Sequence, residues 1–208
     1  MKIVLIGDSG HAKVIKDIIL ANGDHIVGIL DDKYIDVFTE NKIIKGPIMY
    51  LNELLKDKKV KVIIAIGNNK VRKEVVSRLN ISKDRYITCL HPSALVSPSA
   101  VIENGTVVMP GAIINADVCV GMHSIINTNA VIEHDCLVEK FVHISPASVI
   151  TGGVKIAEGV HLGASSSVIP LVKIECWTTV GAGAVVVKDL PANCTAVGTP
   201  AIPIKFHE

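Results

Sequence analysis

The sequence predicts a small parallel βαβ domain over residues 1–90 followed by a parallel β-solenoid, and three observations predict it. Up to about residue 90, apolar runs of strand length alternate with stripes at helical spacing. From Ala94 the period changes to six and holds through 16 hexads without an insertion. Aromatic residues are only 3% of the 208 against 49% apolar, so the core is built from 29 Ile, 28 Val and 13 Leu, which suits a narrow interior.

In the first part, KIVLI (2–6) reads as a buried strand that stops at Gly7-Asp8-Ser9-Gly10. Val14, Ile15, Ile18 and Ile19 then put one apolar stripe on a helix, and Gly23 stops it. HIVGIL (25–30) is a second strand ending at Asp31-Asp32. VKVIIAI (60–66) is a third, ending at Gly67-Asn68-Asn69, with another helix over 70–79. Gly7 to Gly10 is G-x-x-G rather than G-x-G-x-x-G, which argues against a dinucleotide dehydrogenase.

In the second part the third hexad position is Ile, Leu or Val in every hexad from Val96 to Val186. The first is Ala, Ser, Thr, Cys or Val, as at Ala94, Ala100, Thr106, Ala112 and Val118. An aliphatic side chain two residues after a small one, both turned inward on a short strand, fills a narrow solenoid and leaves no room for aromatics.

Twenty-one basic against 20 acidic residues leave a formal charge of +1, with no electrostatic footprint for nucleic acid or an anionic membrane. The apolar run at the N-terminus stops at Gly7, too short for a signal peptide, and no stretch approaches a bilayer span. Five Cys without a CxxC pair fit reduced thiols rather than disulfides or a zinc framework. These features lead us to expect a cytoplasmic protein.

Hexads of this kind resemble those of the left-handed β-helix acyltransferases, in which three hexads close one triangular coil and residues 18 apart share a face. The likeness narrows with Ile6-Gly7-Asp8-Ser9-Gly10-His11, the Asp31-Asp32 pair, Ile66-Gly67-Asn68-Asn69 with Arg72, Leu90-His91-Pro92-Ser93-Ala94 and Val131-Ile132-Glu133-His134-Asp135. Together these are similar to the bacterial nucleotide-sugar N-acetyltransferases that acetylate UDP-4-amino-4,6-dideoxy sugars, relatives of the sialic acid O-acetyltransferases. The likeness covers essentially the whole chain. It implies a nucleotide-sugar-binding domain over 1–90, a left-handed β-helix over 91–189 with acetyl-CoA as cosubstrate and no metal, and a tail over 190–208 covering the CoA site. It also implies a homotrimer with active sites between subunits.

The resemblance carries roles residue by residue. His134 is the expected general base, a neutral imidazole near pH 7 able to take the amine's proton, with Asp135 orienting it. His143 matches a position near the acetyl group; it lies half a coil from His134, so the two can meet only across a subunit interface. Gly152, one coil after His134, with Ala164 and Ala182, is expected to offer backbone amides to the pantetheine and thioester. Lys188 and Lys205, with Gly198-Thr199-Pro200-Ala201, are expected over the adenine and phosphates. In the first domain Ser9, Gly10 and His11 would meet the diphosphate at a helix N-terminus, Asp31 or Asp32 a ribose or uracil donor, and Asn68 and Arg72 the end of the third strand. His161 is expected to be a solvent-exposed residue, and His123 matches no role.

Two other readings stand beside this one: O-acetylation of a sialic acid or similar hydroxyl, and a catalytically inactive scaffold that binds a nucleotide sugar. A metal-dependent hexapeptide enzyme of the carbonic anhydrase kind would need three His ligands at one site and no nucleotide domain.

Overall fold

The computed structural model describes residues 1–207. The chain opens with β1 (Lys2–Ile6), α1 (Gly10–Ala21), β2 (His25–Leu30), β3 (Phe38–Glu40), β4 (Ile43–Gly46), α2 (Leu51–Leu54), β5 (Val60–Ile64) and α3 (Asn69–Leu79). The sheet order is β3-β4-β2-β1-β5, all parallel except the β3–β4 pair. Two of these five strands were not expected. Every residue of β3 is exposed, so Phe38-Thr39-Glu40 shows no inside–outside alternation to mark it. The stripe on α1 also differs: Ala12, Ile15, Ile18 and Ile19 face inward, while Val14 is exposed.

Beyond this sheet the hexads form a left-handed parallel β-helix. Each strand is two residues long, and register pairs link residues 18 apart, as in Ile113↔Val131↔Val149. Three faces result. The first stacks Leu95–Val96, Ile113–Ile114, Val131–Ile132, Val149–Ile150, Ser167–Val168 and Val185–Val186. The second runs from Val101–Ile102 to Lys173–Ile174. The third begins at Cys89–Leu90 and passes through Ile125–Ile126, His143–Ile144, His161–Leu162 and Thr179–Val180. Cys89–Leu90 pairs with Val107–Val108, so the first rung starts one hexad before the Ala94 at which the repeat becomes legible. At the far end Cys194–Val197 extends the third face and Ile202–Phe206 folds back on it antiparallel.

First and third hexad positions fill the interior, from Val108 and Ala112 to Ala184 and Val186. The sixth position turns each corner in the left-handed backbone region without a break from Gly105 to Gly183. Asn and Asp tolerate that region well, whereas Phe141, Leu171 and Trp177 each cost roughly 1–3 kcal/mol there, which the ladder around them offsets.

The sheet domain does not stand apart from the helix. Ile15, Ile18 and Ile19 of α1 share one buried cluster with Ile87, Cys89, Val107, Met109 and Ile125, so the lower third face is covered by α1. Arg72 of α3 is 1% exposed and crosses the same joint.

Candidate active site

His134 occupies the fifth position of its hexad, at the corner between the first and second faces. Its side chain and that of Asp135 are both exposed, and Nδ1 lies 2.7 Å from Asp135 Oδ2. That bond raises the imidazole pKa above its ordinary value against an opposing desolvation, and the charges of Asp135 and Glu133 add to the rise. Nδ1–H donates to the carboxylate, so Nε2 presents a lone pair to solvent. Gly152 stacks one coil later, and a Cβ on it would stand 2.7 Å from Cε1 and 2.8 Å from Nε2 of His134. Only a glycine leaves the basic nitrogen open on that side. Lys188, three coils on from His134, is exposed at the same corner.

Ala164 and Ala182 stack on each other at the corner between the third and first faces, also at fifth positions. Among the described residues, no backbone oxygen accepts from the N–H of Gly152, Ala164 or Ala182. These amides are free to meet a ligand. The two corners bound the first face, whose outward side chains include Leu95, Ile113, Val131, Val149 and Val185.

His143 lies on the third face, away from His134, as its spacing requires. Its Nε2 is 3.1 Å from Asn127 Nδ2, its ring centroid is 6.5 Å from that of His11, and it stacks on His161 at 4.8 Å and 9°. Burial pushes the His143 pKa down to about 3, with His161, Arg72 and His11 adding to the effect and a Gly67 carbonyl opposing it. His161, expected in solvent, is instead half-buried, with Nε2 2.9 Å from Ser145 Oγ. A cleft of about 400 Å³ runs beside the pair, lined by Asn68, Asn69, Lys70, Gly159, Trp177 and Thr179.

The first-domain candidates divide. Ser9, Asp31 and Asp32 line a separate cavity of about 510 Å³ with Gly7, Glu74 and Arg78. Gly10 begins α1, and the space above its Cα is open. Asp31 accepts from Asp8 N at 2.8 Å and Lys33 N at 3.0 Å, while Asp32 accepts from Ile48 N at 3.0 Å and pairs with Arg78 at 2.7 Å. Both carboxylates thus brace the loops around the cavity they line. Asp8 gathers Lys16, Lys33, Lys45 and the Tyr34 hydroxyl. Burial opposes its ionisation, yet the bonds from Tyr34 and Lys16 hold its pKa well below the usual carboxylate range.

Two expectations, His11 and Arg72, are corrected in position. His11 turns its ring toward His143 rather than into the cavity with Ser9, and burial takes its pKa down to about 4. Asn68 stands past the end of β5 as expected, lining the cleft and capping α3, its side chain accepting from Val71 N at 3.1 Å. Arg72 meets no open space: it donates to carbonyls of His123, Ile66, Gly67, Phe141 and Val142 and to Asn69 Oδ1. A guanidinium so fully engaged ties α3 to two successive coils of the β-helix at one corner and has no donor left for a substrate.

Sequence reasoning passed over Asn127, Ser145 and Trp177. Asn127 and Ser145 occupy fourth hexad positions, which many residue types fill, so nothing in the pattern marked them. Trp177 offered a signal, as the only tryptophan in a chain poor in aromatics. Its ring lies against Gly159 and under Lys73 Nζ, 5.0 Å from the centroid.

Residues 2–79 match the family model of the PglD N-terminal domain. The UDP-N-acetylbacillosamine N-acetyltransferase of Bacillus subtilis (strain 168) is 45% identical over 111 residues, 51% of this chain and 50% of that protein, so the match spans about half of this curated relative. PerB from Caulobacter crescentus, solved in complex with CoA and GDP-perosamine, is 37% identical with a TM-score of 0.89, covering 99% of this chain and 98% of that one. The acetyltransferase domain of PglB from Neisseria gonorrhoeae FA1090, in complex with acetyl coenzyme A, is 34% identical with a TM-score of 0.88, covering 98% of both chains.

Proposed function

The chain belongs to the hexapeptide-repeat sugar N-acetyltransferases that open with a PglD N-terminal domain, and from that premise we propose that it moves an acetyl group from acetyl-CoA to the amine of a UDP-4-amino-4,6-dideoxy sugar. The observation that carries this reading is the His134–Asp135 pair, with Nε2 open beneath Gly152. Nε2 accepts a proton from the amine as its nitrogen bonds to the thioester carbonyl carbon. The carbon–sulfur bond then breaks, and the sulfur leaves with that proton as the thiol of CoA. Asp135 holds the ring and stabilises the imidazolium that forms in between. The amides at Gly152, Ala164 and Ala182 support thioester and pantetheine binding, and Lys188 offers a charge to the CoA phosphates.

The cavity at Ser9, Asp31 and Asp32 suits the nucleotide, with the start of α1 facing its diphosphate. The corners carrying His134 and Ala164 bound one apolar face. Closing three such faces around an axis sets the His134 corner of one subunit against the Ala164 and His143 side of the next, which favours a homotrimer.

The test is a thiol-release assay with acetyl-CoA and a panel of UDP- and GDP-linked 4-amino sugars beside hydroxyl acceptors. Turnover with an amino sugar, absent for its hydroxyl counterpart, is expected. Acetylation of hydroxyl acceptors alone would overturn the N-acetyltransferase reading, and no thiol release from any acceptor would favour the inactive scaffold.

A further inference from the structure

The row of polar side chains on the third face fixes more than the position of His143. Asn127 Oδ1 accepts from Thr128 N at 2.8 Å, which settles the orientation of the amide and leaves Nδ2 toward His143. An amide nitrogen only donates, so His143 Nε2 at 3.1 Å is the acceptor and the ring proton sits on Nδ1. The opposite arrangement holds at His134, where Nδ1 faces Asp135 and Nε2 carries the free lone pair.

Asn127 at Nε2 and the Gly67 carbonyl hold the rim of the His143 ring, and contacts at the rim alone leave the ring free to tilt out of its plane. The structure supplies the missing restraint from the next coil. His161 pairs in register with His143 and lies parallel to it at 4.8 Å, and its own ring is held by Ser145 Oγ at 2.9 Å. Ser145 is buried, so that anchor is fixed in turn. On the cleft side Gly67 and Asn68 approach from the start of α3.

We propose that His161 is a positioning residue, whose flat face holds the ring plane of His143 so that Asn127 keeps it as the neutral Nδ1–H tautomer, a hydrogen-bond donor and not a second base. This deepens the acetyltransferase reading and rests on it only for its catalytic consequence. With the lone pair of His143 capped, the amine's proton has one imidazole to go to, His134. Arg72 and His11, from the two helices beside the cleft, work in the same direction by disfavouring an imidazolium at His143.

The test is ring-nitrogen NMR on the full-length protein, run with the kinetics of the same samples. In the wild type, His143 is expected to show one neutral species protonated at Nδ1. In His161→Ala, it is expected to spread over both tautomers and kcat to fall about tenfold, with KM for both substrates moving less than about twofold. His161→Phe keeps the stacking face without the bond to Ser145 and should restore the single tautomer and most of the rate.

A wild-type His143 protonated at Nε2 overturns the proposal, and that spectrum needs no variant to fold. So does a single Nδ1–H tautomer that persists in His161→Ala, or a loss in His161→Phe as large as in His161→Ala. Spectra as expected in a protein that acetylates no acceptor would uphold the positioning role while removing the acetyltransferase reading.

Discussion

Gly152 lies one coil above His134, close enough that a methyl group on its Cα would touch both Cε1 and Nε2 of the imidazole. Gly152 is outside the left-handed region, so Gly152→Ala costs the backbone little and acts through the clash alone. The ring must swing away from the bound amine. A misplacement of this size is worth about 10²-fold in kcat, with the thermal midpoint nearly unchanged. Wild-type turnover by Gly152→Ala would show that Nε2 is not the working atom.

His134→Ala should lower the rate by about 10² to 10⁴ while leaving acetyl-CoA binding intact, because a general base acts in the transition state. The pH profile gives a finer check. As the proposed base His134 must be neutral, and Asp135 raises its pKa, so wild-type kcat/KM should fall as pH drops through a value above the ordinary imidazole range. Asp135→Asn removes the cause of that rise, so the acid limb should move to lower pH while the plateau drops. An acid limb unmoved in Asp135→Asn would remove His134 as the group that titrates.

The β-helix was legible because one physical requirement, an inward aliphatic at every third hexad position, repeats from Val96 to Val186 without exception. What covers each face was not legible. Val107 and Ile125 sit at the same hexad position as Val101 and Leu95, yet the first pair is sealed under α1 and the second is exposed. The hexad period says inward or outward and nothing about neighbours. His134 and Asp135 are adjacent in sequence, and a local motif could point to them. Arg72 makes its contacts to the β-helix with residues 51 to 70 positions away, so its role as an inter-domain tie needed the folded chain.

The buried histidines make the joint sensitive to acid. His123 lies edge-on to Tyr86 at 4.5 Å and stacked on Phe141 at 5.4 Å, with neither ring nitrogen bonded. Burial, aided by Arg72, takes the pKa of His11 and of His123 from 6.5 to about 4. Between those values the unfolded chain binds more protons than the folded one, so stability falls as pH drops below 6.5 and the loss levels off near 4. At about pH 5 the loss is roughly 2 kcal/mol for each such histidine. His123→Phe, which suits the aromatic slot, should remove one such share, seen as a smaller drop in urea midpoint between neutral and acid buffer. An equal drop in the two proteins would show that His123 does not titrate on unfolding.

Assembly offers the most demanding prediction. The His134 corner and the Asn127–His143 side of the third face flank the first face on opposite edges, so a site that uses both must draw them from neighbouring subunits. The expected species has a mass near three times the 22.1 kDa chain. Head-to-tail contacts in a closed ring are directional, so His134→Ala and His143→Ala subunits complement each other in one direction only. In any mixed trimer one contact in three then joins an intact His134 to an intact His143. Random exchange of equal amounts makes about three-quarters of the trimers mixed, so activity should return to about a quarter of wild type from two nearly inactive stocks. No recovery despite verified exchange, or an active monomer by light scattering, would place the whole site within one subunit.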